Sequence, residues 1–253
     1  MPDLSRETRK VLEKLGQIGH ASRTFTGELV RMEGVDLVFA KGDRESRALN
    51  RVSITIQAGS FTVVSGPTAS GKSSLINILG GLMRPTRGQV WFAGERLDHT
   101  NEQAMRAFRR DRIGFVFGAF TLVPNLSPIE NVELVGRLSH THIDPIAALD
   151  LAGIRTKAHS TTADLNDGER QQVMLARAIV KRPDLLLCDN PLATINKESG
   201  DRFLAALGMV NEMIGTTVVL ATSPSEPRRI ADHVIKLANG RVIQDSQTGS
   251  GHR

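Results

Sequence analysis

Gly66 and Gly71 stand five residues apart, and Lys72 and Ser73 follow the second glycine at once. The stretch Gly66-Pro67-Thr68-Ala69-Ser70-Gly71-Lys72-Ser73 fits the pattern G-x-x-x-x-G-K-[ST], with Ser74 next in line. The apolar run 61–65 reads as a strand and 72–82 as a helix, so the loop joins a strand end to a helix start. Glycine at both ends lets the backbone turn until its N–H groups point inward. The helix N-terminus adds positive potential at the same place. A loop of this kind cradles phosphate, with Lys72 reaching the outer phosphates and the Ser73 hydroxyl available to Mg²⁺. A glycine-rich turn without chemical consequence is the alternative, and the strand-loop-helix setting weighs against it.

A second feature pairs with the loop. Leu185-Leu186-Leu187-Cys188-Asp189 is an apolar strand ending in a carboxylate, which can hold the water shell of Mg²⁺. Such a wholly apolar run is what a parallel strand covered on both faces requires. Further strands are expected at 29–39, 49–56, 89–92, 113–117 and 216–221. Asn239-Gly240 marks a hairpin between 234–237 and 241–243. Ser127-Pro128-Ile129-Glu130 and Asp144-Pro145 read as helix starts, with a capping residue followed by proline at the first position. Helices are also expected at 169–181 and 200–215, and the stretch from about 119 to 177 is mainly helical. Strands alternating with helices give an α/β fold around a mainly parallel sheet.

Composition narrows the class further. The 253 residues suffice for one large domain or two small ones. No run approaches the ~18 uncharged apolar residues of a membrane span, and the N-terminus lacks an apolar core of signal-peptide length. The single cysteine, Cys188, excludes a disulfide framework and a Cys-rich metal site, as expected for a reducing cytoplasm. Lys+Arg outnumber Asp+Glu by 32 to 27, which fits an acidic partner only weakly; solvated surface charge accounts for it as well. With no Tyr and one Trp, a stacking platform for single-stranded nucleic acid is not expected. His140 and His142 lie two apart on a loop and read as solvent-facing. Residues 3–16 read as a short helix with Leu4, Val11, Leu12, Leu15 and Ile18 on one face. It packs on its own domain or frays, with docking on a partner or on lipid headgroups as the alternative.

From about Glu28 to Asp245 the chain resembles ABC-transporter nucleotide-binding subunits, above all the lipoprotein-releasing and macrolide-exporter branch. The residues that carry the resemblance are the phosphate loop and Asp189. Also similar are Ile113 to Phe117 with Phe120, Leu122, Pro124, Leu126 and Glu130-Asn131-Val132, and the stretch Leu165, Gly168-Glu169, Gln171, Val173 and Ala176-Arg177-Ala178. The resemblance implies a P-loop NTPase (RecA-like) ABC ATPase core with an inserted α-helical subdomain and an antiparallel β subdomain. It divides the chain into an N-terminal helical extension and linker (1–27), a nucleotide-binding domain (28–245, helical subdomain about 119–177) and a frayed tail (246–253). ATP and Mg²⁺ are the implied ligands: Phe39 stacks on adenine, 66–74 hold phosphate, and Ser73 and Asp189 serve the metal. Two such domains sandwich two ATPs, each between one subunit's phosphate loop and the other's signature. The implied partners are a membrane permease and either a second copy or another ATP-binding subunit. The implied place is the cytoplasmic face of the cell membrane, with no nucleic acid.

Departures from the family pattern fall on one part of the site. The signature Leu-Ser-Gly-Gly-Glu is replaced by Leu165-Asn166-Asp167-Gly168-Glu169, which sets a carboxylate where a phosphate is expected; Asp167 is also a good helix N-cap. Asn190 stands for the glutamate that polarises the attacking water, and Ser223 for the switch histidine. Gly118 stands for the Q-loop glutamine and Asn196 for the D-loop aspartate. Groups that hold the inner phosphates remain, while groups that act on the outer phosphate are replaced. The leading expectation is a subunit that binds Mg-ATP and turns it over poorly or not at all. An active transport ATPase with unusual residues, and a soluble nucleic-acid-linked ABC protein, are the two alternatives.

Overall fold

A computed structural model describes residues 4–6, 8–10, 26–41, 44–118, 121–223 and 230–247. The chain divides into two units, Phe25–Arg109 with Thr217–Arg253, and Met1–Thr24 with Arg110–Thr216.

In the first unit, β1 (Glu28–Lys41) and β2 (Arg44–Gln57) form a long antiparallel pair. β4 (Arg87–Phe92) lies on the other side of β1, and β5 (Glu95–Arg96) forms the edge. Alternation decides the faces: Val30 and Met32 are buried while Arg31 and Glu33 are not. The register shifts between Met32 and Val35, at Gly34 with φ 57°, and burial resumes at Val35 and Leu37. A second, parallel set has β3 (Phe61–Ser65) between β8 (Thr217–Thr222) and β9 (His233–Ala238). β3 and β8 are buried along their whole length, the pattern expected of parallel strands covered on both faces. β10 (Arg241–Gln247) returns antiparallel to β9 through Asn239-Gly240, whose φ values of 49° and 73° make the expected two-residue turn. It runs to Gln247, beyond the expected strand 241–243.

Helix α1 (Lys72–Leu79) buries Leu75, Ile76, Ile78 and Leu79. It stops three residues short of the expected end, because Gly80 and Gly81 follow and Gly81 takes φ 66°. Helix α2 (Glu102–Asp111) was not expected from sequence. Only Met105 and Phe108 of its ten residues are buried, three apart on one face, with Phe108 edge-on to Phe92 at 4.9 Å.

The second unit pairs β6 (Ile113–Phe117) with β7 (Leu185–Asp189) in parallel, Phe117 opposite Asp189. Four helices accompany them: α3 (Pro128–Gly136), α4 (Pro145–Leu151), α5 (Asp167–Ile179) and α6 (Lys197–Ile214). Short 3₁₀ turns lie at Arg155–Lys157 and Thr162–Asp164. The expected starts at Ser127 and Asp144 are present, Ser127 in a full capping box with Glu130. α5 starts two residues before the expected 169 and α6 three before the expected 200, because Asn166 and Asn196 supply the caps. Of the expected N-terminal helix, residues 6 and 8–10 are helical and Leu4 and Thr8 are buried within this unit; Val11, Leu12, Leu15 and Ile18 lie outside the described residues. No helix among the described residues is long and apolar enough to cross a membrane.

Candidate functional site

The phosphate loop leaves β3 at Ser65 and enters α1 at Lys72. Gly71 takes φ 103° and Ala69 φ 62°, so two residues of the loop are in the region that L side chains resist. The fold requires glycine at both ends. A Cβ on Gly66 would lie 2.3 Å from the Leu237 carbonyl oxygen, and one on Gly71 would lie 2.4 Å from the Ala48 carbonyl oxygen. The loop is anchored to the β9–β10 turn: Gly240 N–H donates to Ser70 O at 3.0 Å, and Asn50 N–H donates to Gly240 O at 2.8 Å. The hairpin turn and the phosphate loop therefore brace each other. Lys72 Nζ donates to the carbonyl oxygens of Gly66 and Pro67, each at 2.8 Å, and lies 3.5 Å from Ser70 Oγ. The ammonium thus sits against the loop it must serve. Pro67, Thr68, Ala69 and Ser73 are exposed, Ser70 is buried, and Ser74 is half-buried.

Helix α1 begins at Gly71, which offers no side-chain cap, and no acidic residue lies in its first turn. A helix that starts this way favours an anion at its N-terminus. Ser65, one residue before the loop, is 1% exposed, and its hydroxyl finds no partner among the described residues. It stands in register with Thr222 on β8. Ser223 follows β8 and is exposed, and residues 224–229 beyond it lie outside the described residues. Phe39 sits on β1 opposite Ser46 with 45% exposure, so its ring is available to a flat ligand. The loop suits a phosphate chain. Among the described residues there is no cluster of three His, Cys, Asp or Glu that could hold a metal.

In the other unit, Asp189 ends β7 half-buried, and Asn190 takes φ 50°, a conformation that asparagine tolerates better than glutamate. A Cβ on Gly118 would lie 2.8 Å from the Asn190 carbonyl oxygen, so these two positions are in contact. Asn166, and not Asp167, caps α5. Its Oδ1 accepts from Glu169 N–H at 3.0 Å, and Glu169 Oε2 accepts from Asn166 N–H at 2.9 Å. Asp167 occupies the first helical position and pairs with Arg170 at 3.3 Å. Gly168 is packed against Ser199 so closely that a Cβ would fall 2.5 Å from Ser199 Oγ. Asn196 caps α6 through Ser199 N–H at 2.9 Å. The 166–169 turn and the start of α6 are thus one packed corner.

A model described as ABC transporter matches residues 49–193, more than half of the chain. The chain belongs to the ABC transporter family. It is 31% identical over 231 residues to the lipoprotein-releasing system ATP-binding protein LolD 1 of Caulobacter vibrioides, covering 88% of this chain and 98% of LolD 1. It is 32% identical over 224 residues to the macrolide export ATP-binding/permease protein MacB of Escherichia coli. That match covers 87% of this chain and 34% of MacB, so the chain spans about a third of that relative. Among solved structures, the dimeric post-hydrolysis state of the ATP-binding cassette MJ0796 bound to ADP and Pi superposes with a TM-score of 0.78. It is 30% identical and is covered to 98% by 86% of this chain; a relative of that name comes from Methanocaldococcus jannaschii. The fold is accordingly the RecA-like P-loop α/β fold of ABC ATPase cassettes, with helical and β-sheet subdomains, and the chain is an ABC-type ATP-binding domain.

Within this ABC domain, two features escaped the reading of the sequence. Ala69 carries left-handed backbone inside the phosphate loop, which no composition rule reveals. Buried Gln171 donates to Phe117 O at 3.1 Å, and Arg177 donates to Thr121 O and Oγ1, both at 2.6 Å. α5 therefore grips the chain on both sides of Gly118. Cys188, which the sequence reads as a small core residue rather than a nucleophile, is fully buried, and burial first, then the charge of Asp189, pushes its thiol far above the ordinary range.

Proposed function

We propose that this chain is the ATP-binding subunit of a membrane transport complex, of the branch that contains LolD and MacB, and that it binds Mg-ATP but hydrolyses it poorly or not at all. The observation that carries this reading is the contrast between two helix N-termini in one chain. α1 begins uncapped by any side chain among the described residues, behind a loop whose backbone is shaped by Gly66 and Gly71. α5 begins with a complete capping box and two acidic residues, Asp167 and Glu169. The first is suited to receive phosphate and the second to turn it away. A unit charge facing a phosphate oxygen at ~4 Å is unfavourable by about 1–4 kcal/mol between the dielectric limits of water and a protein surface. Pairing with Arg170 and an Asp167 side-chain exposure of 51% place the effect at the lower end.

In this reading Lys72 and the 66–74 backbone hold the phosphates, and Phe39 stacks on the base. Ser73 and Asp189 hold Mg²⁺, which when bound neutralises charge on the outer phosphates. Asn190 offers an amide where proton acceptance needs a carboxylate, and loss of a positioned base typically costs ~10²–10⁴ in rate. Ser223, Gly118 and Asn196 remove further contacts to the outer phosphate. The partners are a permease on the cytoplasmic face of the membrane and a second ATP-binding subunit, either a copy of this chain or an intact one. MacB carries both functions in its name, and the MJ0796 cassette forms a dimer. A heterodimer with an intact subunit would have two unequal composite sites, each lacking one half of the machinery for the outer phosphate.

Calorimetric titration with ATP, with and without Mg²⁺, followed by steady-state hydrolysis on the same sample, tests the reading. Mg-ATP should bind wild type and not Lys72→Ala, with turnover below ~1 s⁻¹. Lys72-dependent multiple turnover above that rate, with no other ATPase present, would overturn the inactive half of the proposal, and failure to bind would overturn all of it.

A further inference from the structure

The segment before residue 26 lies outside the stretch matched by the family model, which starts at residue 49. Its described residues are nonetheless built into the second unit. Leu4, just before the helical residues 6 and 8–10, is 8% exposed, and Thr8 within them is 2% exposed. Ser5 caps that turn: its Oγ accepts from Thr8 N–H at 3.1 Å, and its carbonyl accepts from Arg9 N–H at 3.0 Å. The same serine is held from the other side. Its N–H donates to Asp150 Oδ2 at 3.1 Å, and Arg155 donates to its Oγ at 2.6 Å. The Thr8 side chain also hydrogen-bonds Asp150, and Arg155 lies 3.6 Å from the same carboxylate. Burial alone would raise the Asp150 carboxyl; the hydrogen bonds from Thr8 and Ser5 and the charge of Arg155 outweigh it and hold it below the ordinary value. Asp150 is therefore the knot of a network that joins residues about 145 apart in sequence.

The surface that receives this turn leads to the signature helix. Asp150 lies on α4, and the backbone on either side of α4 is bonded to α5 and its end. Ile143 N–H donates to Val180 O at 2.8 Å, and Gln172 Nε2 donates to Gly153 O at 3.4 Å. Beside the docked turn an open cavity of about 570 Å³ is lined by Thr8, Ile146, Arg155 and His159.

We propose that residues 4–6 and 8–10 are an intramolecular clasp whose receptor is the α4 to Lys157 corner, and that this clasp orders the corner and through it the seat of α5. It is an added device on the ABC domain and does not depend on whether ATP is hydrolysed. The test is hydrogen exchange read by mass spectrometry on the full chain, comparing wild type with Leu4→Asp, Asp150→Ala and the exposed-site control Arg6→Ala. The expected result is a rise of about tenfold or more in exchange of amides 146–158 in the first two variants, with none in the control. Amides 72–79 and the affinity for Mg-ATP should stay as in wild type. If Leu4→Asp leaves 146–158 as protected as in wild type, the clasp does not hold the corner and the proposal falls. If Leu4→Asp loosens 72–79 to the same extent, the effect is general destabilisation, and the proposal falls equally.

Discussion

Two glycine-to-alanine substitutions in this chain should move stability in opposite directions. At Gly71 the backbone has φ 103°, and an alanine Cβ would meet the Ala48 carbonyl oxygen at 2.4 Å and Leu49 Cδ2 at 3.0 Å. Left-handed backbone costs an L-residue about 1–2 kcal/mol. Relieving a contact with a main-chain oxygen adds an overpacking cost of about 1–3 kcal/mol, since a carbonyl cannot swing aside as a side chain can. Gly71→Ala should therefore lose about 2–5 kcal/mol, a fall in Tm of roughly 4–20 °C for a chain of this size. Gly208 lies inside α6, with nothing within 4 Å of its Cβ position. There alanine fixes the unfolded chain less expensively and should gain about 0.5–1 kcal/mol, or about 1–4 °C. Urea and thermal unfolding by circular dichroism read both, and ATP calorimetry on the same samples should show loss of binding for Gly71→Ala alone. A Gly71→Ala protein with wild-type Tm and wild-type ATP affinity would refute the account of the loop.

Three further outcomes follow from individual residues. Ala69 sits at φ 62°, so Ala69→Gly should stabilise by up to about 1 kcal/mol and leave ATP binding intact, measured by the same unfolding curves. Asp111 is held down to about 2, first by its hydrogen bond from Arg110 and then by His140. A depressed carboxylate contributes stability that is full above about pH 4 and lost as the pH falls toward 2, so the deficit of Asp111→Asn against wild type in urea should shrink across that window. Cys188 is fully buried with its thiol raised, so a thiol reagent should leave native protein unlabelled and modify it once urea unfolds the chain.

What the sequence discloses depends on how local the deciding physics is. Caps and turns are local: Ser127 and Asp144, each followed by proline, and Asn239-Gly240 all stand where their chemistry places them. Helix α2 escaped because Met105 and Phe108 are its only buried residues, too few to set a period, and because its seat against Phe92 comes from β4. The loop residues were legible from spacing alone, but the reason Gly66 cannot change lies at Leu237, far along the chain. The cap at α5 was misassigned to Asp167 because both Asn and Asp favour that position; the reciprocal bond with Glu169, three residues on from Asn166, decides between them. Ser5 and Asp150 are bonded although 145 residues apart in sequence, and neither residue carries a local sign of the other.

These contacts also change how much each retained residue says about nucleotide binding. Gly66 and Gly71 would be kept by a protein that never met a nucleotide, because any Cβ there strikes the backbone of Leu237 or Ala48. Their presence speaks for the fold as much as for the ligand. Ser73 is different: its side chain is exposed at the start of α1, where the helix itself would accept alanine readily. Lys72 stands between, since its ammonium already bonds the loop carbonyls of Gly66 and Pro67. Lys72→Ala can lower stability by leaving those oxygens to water, whereas Ser73→Ala should leave Tm within about 2 °C of wild type. If Ser73→Ala also keeps full Mg²⁺-dependent ATP affinity, the hydroxyl is not a metal ligand, and retention of the loop reflects packing alone.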